Sequence, residues 1–149
     1  MWMPFPIIPT KLPKKKEKIV KEIIVKEGAI KRIKPIRKSI KNLGVSEAMV
    51  LAEYKGEGFI YYAMVTSDSS DFKFIFEIDG ILYYSGTYSE LAEKSVKYED
   101  LVAYQDSNGD YLVGVSNFEF EKYIKVIVEP TGSSFLLKEF KIKGVLNEQ

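Results

Sequence analysis

At 149 residues and a net charge of +1, the chain has the size of one ordinary domain, large enough to bury a core without metal or disulfide support. It contains no His and no Cys, which excludes disulfides, thiolate metal sites, cysteine nucleophiles and the commonest general base. The charge is divided between opposites: residues 1–44 hold thirteen Lys or Arg and three Glu, net +10, whereas residues 45–149 hold nine Lys and eighteen Asp or Glu, net −9.

A basic segment joined to an acidic body invites contact within the chain or between copies. Residues 1–13 place Trp2, Phe5, Ile7, Ile8 and Leu12 among Pro4, Pro6, Pro9 and Pro13. Proline at that density forbids helix and favours an extended course, and an extended segment bearing Trp and Phe needs a surface to lie on. The alternative is a tail whose aromatics are incidental. The lysines Lys14, Lys15 and Lys16 follow the apolar part instead of preceding it, which is not the order of a signal peptide. No apolar run approaches the ~20 residues of a membrane helix, so no membrane insertion is expected.

Residues 14–27, KKKEKIVKEIIVKE, fit a helix through Ile19, Val20, Ile23 and Ile24, or a strand through the β-branched run at 23–25. Residues 29–42 space Ile30, Ile33, Ile36 and Ile40 at three and four, but Pro35 predicts extended structure with a kink. A basic N-terminal arm over residues 1–44 and an acidic domain over 45–149 follow.

The acidic domain opens with a strand over 47–54 and a turn at Lys55-Gly56-Glu57-Gly58. Its centre is residues 59–84, read as three strands folded back on one another by the loop 67–71 and the Asp79-Gly80 turn. Phe72, Phe74, Phe76 and Ile78 alternate with polar neighbours and must be buried, while 59–66 is apolar on both parities, as in a strand covered on two sides. Ser85-Gly86-Thr87 reads as a break, and residues 89–94 as a helical turn with Ser89 as its cap. Strands at 98–105 and 111–116 flank a turn at 106–110, and the last two, 123–129 and 135–146, flank a turn at 130–134. About eight short strands with turn signals between them describe a mainly β fold, an antiparallel β-sandwich of jelly-roll-like type with an extended arm.

Candidate chemistry is sparse. Asp106, Asn108 and Asp110 alternate like the start of a calcium loop, but the glycine falls at Gly109 and the twelfth position is Asn117, so a hairpin turn is the reading. Glu77, Asp79, Glu119 and Glu121 offer carboxylates of the kind that hydrolyse glycosides, yet nothing in the sequence brings two together across a cleft. No catalytic residue, metal site or cofactor is assigned. Tyr61, Tyr62, Tyr83 and Tyr84 form an aromatic concentration that could be a platform for sugar rings or a protein partner, or simply be divided between core and sheet face. The basic arm could neutralise phosphates, but Arg is scarce, Glu17, Glu22 and Glu27 are interspersed and the acidic body would repel nucleic acid.

The run GEGFIYYAMVTSDSSDFKFIFEIDGILYY, followed by NFEFEKYIKVIVEPTGSSFLLKEFKIKGVL, resembles β-sandwich virion proteins of tailed phages and archaeal viruses, with a Gly-led strand, a polar loop, a strand closing in Ile-Asp-Gly and late paired strands around a polar turn. The resemblance covers residues 44–146. It implies a multi-copy structural component of a capsid, collar, tail or baseplate, located in the virion and without enzymatic activity. Trp2, Phe5, Ile7 and Ile8, backed by Lys14, Lys15 and Lys16, are then expected to dock on neighbouring subunits or other virion proteins. A carbohydrate- or receptor-binding module and a nucleic-acid-binding arm are the alternatives, with a soluble cytoplasmic location as the alternative to the virion. Abundant Lys, Glu, Ile and Tyr is compatible with a thermophilic source.

Overall fold

The structure, a computed structural model, describes residues 32–148. The proposed docking residues of the arm, Trp2 to Lys16, and the ambiguous stretch 14–27 lie outside the described residues. The described chain is mainly β: β1 (Arg32–Val45), β2 (Met49–Lys55), β3 (Glu57–Ser67), β4 (Phe72–Ile78), β5 (Ile81–Thr87), a short helix α1 (Tyr88–Ser95), β6 (Leu101–Gln105), β7 (Tyr111–Phe120), β8 (Tyr123–Pro130) and β9 (Phe135–Glu148). These strands form two antiparallel sheets, one ordered β1-β9-β3-β7-β6 and the other β2-β8-β4-β5.

The period-two pattern of β4 sets the core. Phe72, Phe74, Phe76 and Ile78 are buried while Lys73, Ile75 and Glu77 are only half covered. Across the interior Phe72 meets Phe135 of β9 with ring centroids 5.4 Å apart, and Phe76 meets Phe118 of β7 edge to face at 4.9 Å. The two sheets therefore share one hydrophobic core in a sandwich-like arrangement. β8 completes the same layer with Ile124, Val126 and Val128.

Consecutive strands pair at only two places. The β4–β5 hairpin turns through Asp79 (φ 51°) and Gly80 (φ 85°), the double left-handed backbone that an Asp-Gly hairpin provides. The β6–β7 hairpin closes over residues 106–110: Asp106 Oδ1 accepts from the backbone N–H groups of Asn108 (2.9 Å) and Asp110 (3.0 Å), and Gly109 adopts φ 82°. A hairpin turn here is thus what the structure holds.

Several local expectations are corrected. β3 and β4 do not fold back on each other, because β3 pairs with β7 and β9 in one sheet and β4 with β5 and β8 in the other. The polar loop between them crosses from sheet to sheet and is tied to β9, where Leu136 N–H donates to Asp68 Oδ1 at 3.0 Å. β8 and β9 are likewise in different sheets and are not paired around their turn. Residues 85–87 are no break, since β5 runs through Thr87 with Gly86 buried. Thr87, not Ser89, caps α1 in a reciprocal box: Glu90 N–H donates to Thr87 Oγ1 (3.3 Å) and Thr87 N–H donates to Glu90 Oε1 (2.8 Å).

Apolar residues on both parities of β3 also have a different cause. A bulge between Ile60 and Tyr62 reverses the strand's pleat, so the core-facing set runs Ile60, then Ala63 and Val65. β7 reverses in the same way around Asn117 (φ 64°), from Val113 and Val115 to Phe118 and Phe120.

Residues 32–44, which sequence composition assigns to the arm, form most of β1 and run in register with β9 from Arg32↔Glu148 to Val45↔Phe135. The boundary drawn at Gly44 falls inside this strand. Pro35 sits opposite Val145 without interrupting the ladder, because β1 is an edge strand and one side of its backbone needs no partner. Among the described residues, no helix is long and apolar enough to cross a membrane.

Candidate functional site

A surface groove of about 360 Å³ lies between the β4–β5 hairpin and the second half of β7. Its apolar lining is Ile78, Ile81, Tyr83 and Phe118. Asp79, Asp100, Asn117, Glu119 and Glu121 supply its polar part, so four carboxylates and no cationic residue line it.

Phe118 is the floor. It rests on Phe76 from the core and takes the edge-to-face ring of Tyr83 at 5.3 Å and that of Tyr84 at 6.3 Å. Adjacent residues of a regular strand point to opposite faces, so both tyrosines reaching one ring requires an irregularity. It is present: pairing shifts between Phe76↔Tyr84 and Glu77↔Leu82, leaving Tyr83 on a bulge. Tyr84 is buried and donates its hydroxyl to Asp100 Oδ1, whereas Tyr83 keeps 48% of its surface exposed.

Asp79 fixes the opposite wall. Its carboxylate accepts from the backbone N–H groups of Glu121 (2.9 Å), Lys122 (2.7 Å) and Tyr123 (2.9 Å), binding the β4–β5 turn to the β7–β8 turn. Desolvation pushes its pKa up, but the three amides and the nearby Lys122 outweigh it and hold the carboxyl below its usual range. An ionised acceptor engaged in this way is a structural strut and a poor proton donor. Glu77 takes the hydroxyl of Tyr123 and does not line the groove. The structure therefore brings together three of the four candidate carboxylates, Asp79, Glu119 and Glu121, and adds Asp100. Among the described residues, no three His, Cys, Asp or Glu are grouped so as to hold a metal ion.

The four candidate tyrosines are divided between sheets. Tyr61 and Tyr62 sit on β3, inside the five-stranded sheet, with Tyr61 edge-on to Phe59 at 5.4 Å. Tyr83 and Tyr84 sit on β5, at the edge of the other sheet, and only Tyr83 lines the groove.

The pKa of Tyr84 is pushed far up, first by burial and then by the Asp100 carboxylate that its hydroxyl faces. Burial also raises Tyr54 and Tyr88. A phenol whose folded pKa exceeds its unfolded value of about 10 stabilises fully below that pH and loses its contribution as pH climbs toward the folded value. Melting temperature should therefore fall above pH ~10, and Tyr84→Phe should reduce the slope. Thermal melts across the alkaline range measure both; an unchanged slope in the variant would contradict this role for Tyr84.

The edges flanking the groove differ from those on the other side. β5, ILYYSGT, and β6, LVAYQ, contain no charged residue, and Ile81 (57%), Leu82 (56%) and Tyr104 (51%) are exposed on them. By contrast β1 carries Arg32, Lys34, Arg37, Lys38 and Lys41 together with Pro35, and β2 carries Glu53, Lys55 and a bulge after Val50. Charges, proline and bulges are the usual means of keeping a sheet edge from pairing with another chain. β5 and β6 carry neither charge nor proline; what they have instead is the bulge at Tyr83 and the helix α1 packed against both. The uncharged runs at 81–87 and 101–105 were readable in the sequence, but only the sheet order shows that both are edges, and only the packing of α1 on both shows that they lie on the same side.

Compared with known protein families the chain matches no family model, and a search of curated proteins finds no significant match.

Proposed function

We propose that this chain is a non-enzymatic structural protein present in many copies, a virion component of capsid, collar, tail or baseplate, whose basic N-terminal arm docks on neighbouring subunits. The observation that carries the reading is the uncharged side: two edge strands without charge or proline, with Ile81, Leu82 and Tyr104 exposed, lie beside a groove with an apolar floor, while the other two edges carry charged residues. A surface of that kind suits a molecule that is covered in its working state.

The strand order supports the virion assignment. Setting β6 aside, the eight remaining strands divide as β1-β9-β3-β7 and β2-β8-β4-β5, with most connections leaping between sheets, which is the order of a jelly roll. Capsid proteins share that architecture with lectins and cupins, so the fold alone does not choose among them.

The test is solution mass and electron microscopy of the full chain against a variant lacking residues 2–31. That cut spares β1, whereas a cut at 44 would strip the edge strand from β9. The full chain should assemble, and the truncated chain should keep its β-sheet circular dichroism but lose mass. A full chain that stays monomeric, or a truncated chain that assembles equally well, would refute the reading.

One observation favours a carbohydrate- or receptor-binding module instead: Tyr83 presents half its surface beside acidic groups in a groove. Glycan-array binding that disappears with Tyr83→Ala would move the assignment there. Tyr84→Ala is uninformative, because Tyr84 is buried.

A further inference from the structure

We infer that the groove over Phe118 is the acceptor site for residues 2–16 of a second copy, with the Trp2, Phe5, Ile7 and Ile8 side chains against its apolar floor and the Lys14, Lys15 and Lys16 ammonium groups at its acidic rim. The inference rests on the assembly reading and specifies which surface receives the arm.

Three observations converge on this occupant. The first is charge: Asp79, Asp100, Glu119 and Glu121 line the groove without a cation, and residues 1–31 carry a net charge of +5. The second is composition. Ile78, Ile81, Tyr83 and Phe118 offer an apolar strip, and the segment MWMPFPIIPTKLPKKK presents its large apolar groups in one block and its lysines in the next. Four prolines pre-set an extended backbone, which lowers the ordering entropy, and their missing N–H groups suit docking by side chains better than joining a ladder.

The third is placement. The arm leaves the described body at Arg32, on β1, and the groove lies beside β5 and β7, toward the β6 edge of the same five-stranded sheet. β1 and β7 are three strand spacings or about 14 Å apart, and Arg32↔Glu148 lies at the same end of the sheet as Gly58↔Phe120, so residues 17–31 are long enough to bring residues 2–16 to the groove; that the groove belongs to a second copy is taken from the assembly reading. Arm and groove are different surfaces, so docking between copies is either a reciprocal exchange within a dimer or a head-to-tail contact that closes into rings or runs on as filaments.

The absence of cysteine makes the test clean. Full-length Phe5→Cys is mixed with full-length Ile81→Cys under mild oxidation, and in parallel with Ser39→Cys, an exposed position on the guarded β1 edge. A several-fold excess of disulfide heterodimer at Ile81 over Ser39 is expected. Equal yields would overturn the inference, as would a doubly substituted chain that closes only within itself, since the occupant would then be the chain's own arm. Trp2 is the chain's one tryptophan, so its emission reports on the arm alone. It should shift to the blue on assembly and return toward the red with Glu121→Lys, an exposed position on the groove; emission indifferent to that substitution counts against the groove. Solution mass separates the two levels of failure: multimers without the Ile81 cross-link remove the groove and leave the assembly reading intact, whereas a monomeric full chain removes both.

Discussion

Phe76→Ala should lower the unfolding free energy by about 3–5 kcal/mol, the largest loss expected from any single truncation described above. Phe76 is fully buried and lies edge to face with Phe118, so it is the point where the two sheets touch beneath the groove. Removing its ring takes away the transfer free energy of the side chain and leaves a void that neighbours on two stiff sheets cannot fill by a small shift. It also removes the support of the groove floor, and Phe118 would then settle inward and draw Tyr83 with it. Urea unfolding with an unchanged m-value measures the first effect. If the arm docks as inferred above, the second appears as weaker docking even under conditions where the variant is fully folded. A loss below about 1 kcal/mol would mean that the contact between the sheets is carried elsewhere.

Asp79→Ala should cost about 2–3 kcal/mol, from three backbone amides losing a charged acceptor and from alanine being forced to a left-handed backbone at φ 51°. Asp79→Asn separates these causes. It tolerates the backbone angle and keeps one acceptor oxygen, so it should lose about half as much. The wild-type residue also predicts an acid dependence. Its folded pKa lies below the unfolded value of about 3.9, so its contribution is complete above that pH and disappears as pH falls through the folded value. The Asn variant should be flatter in the same range. Thermal melts of the three proteins between neutral and strongly acidic pH decide the matter, and parallel curves for wild type and Asn variant would assign the strut's worth to geometry alone.

Much of the secondary structure was legible because strand periodicity is a local property. The alternation from Phe72 to Ile78, the Asp79-Gly80 turn and the Asn108-Gly109 turn each lie within a few residues, and each falls where those residues indicate. Pairing was not legible. Loop 67–71 reads the same whether it joins partners in one sheet or carries the chain across to the other, since only the distant surfaces of β7, β8 and β9 decide. Bulges were hidden for a related reason: a reversal of parity at Tyr61 or Asn117 looks in sequence like a strand apolar on both sides. Charge marks a change at Gly44, while register with β9 continues back to Arg32, because pairing depends on a strand about a hundred residues away and charge does not. The groove was out of reach for the same reason as the pairing, since Tyr83, Asp100 and Phe118 belong to three separate stretches joined only by the crossing of the chain.

The antiparallel zipper between the first and last described strands has a consequence for biosynthesis. β1 borders β9 and nothing else in its sheet, and β9 is also what joins β1 to β3. Until residues 135–148 have emerged from the ribosome, β1 has no strand to lie against and β3 lacks one of its two neighbours. The larger layer therefore cannot close until β9 has been made, and until then a cationic ribbon is held free beside an acidic, half-built partner layer. In a cell making many copies at once, the interval between synthesis and closure is when strand exchange between chains competes with correct folding.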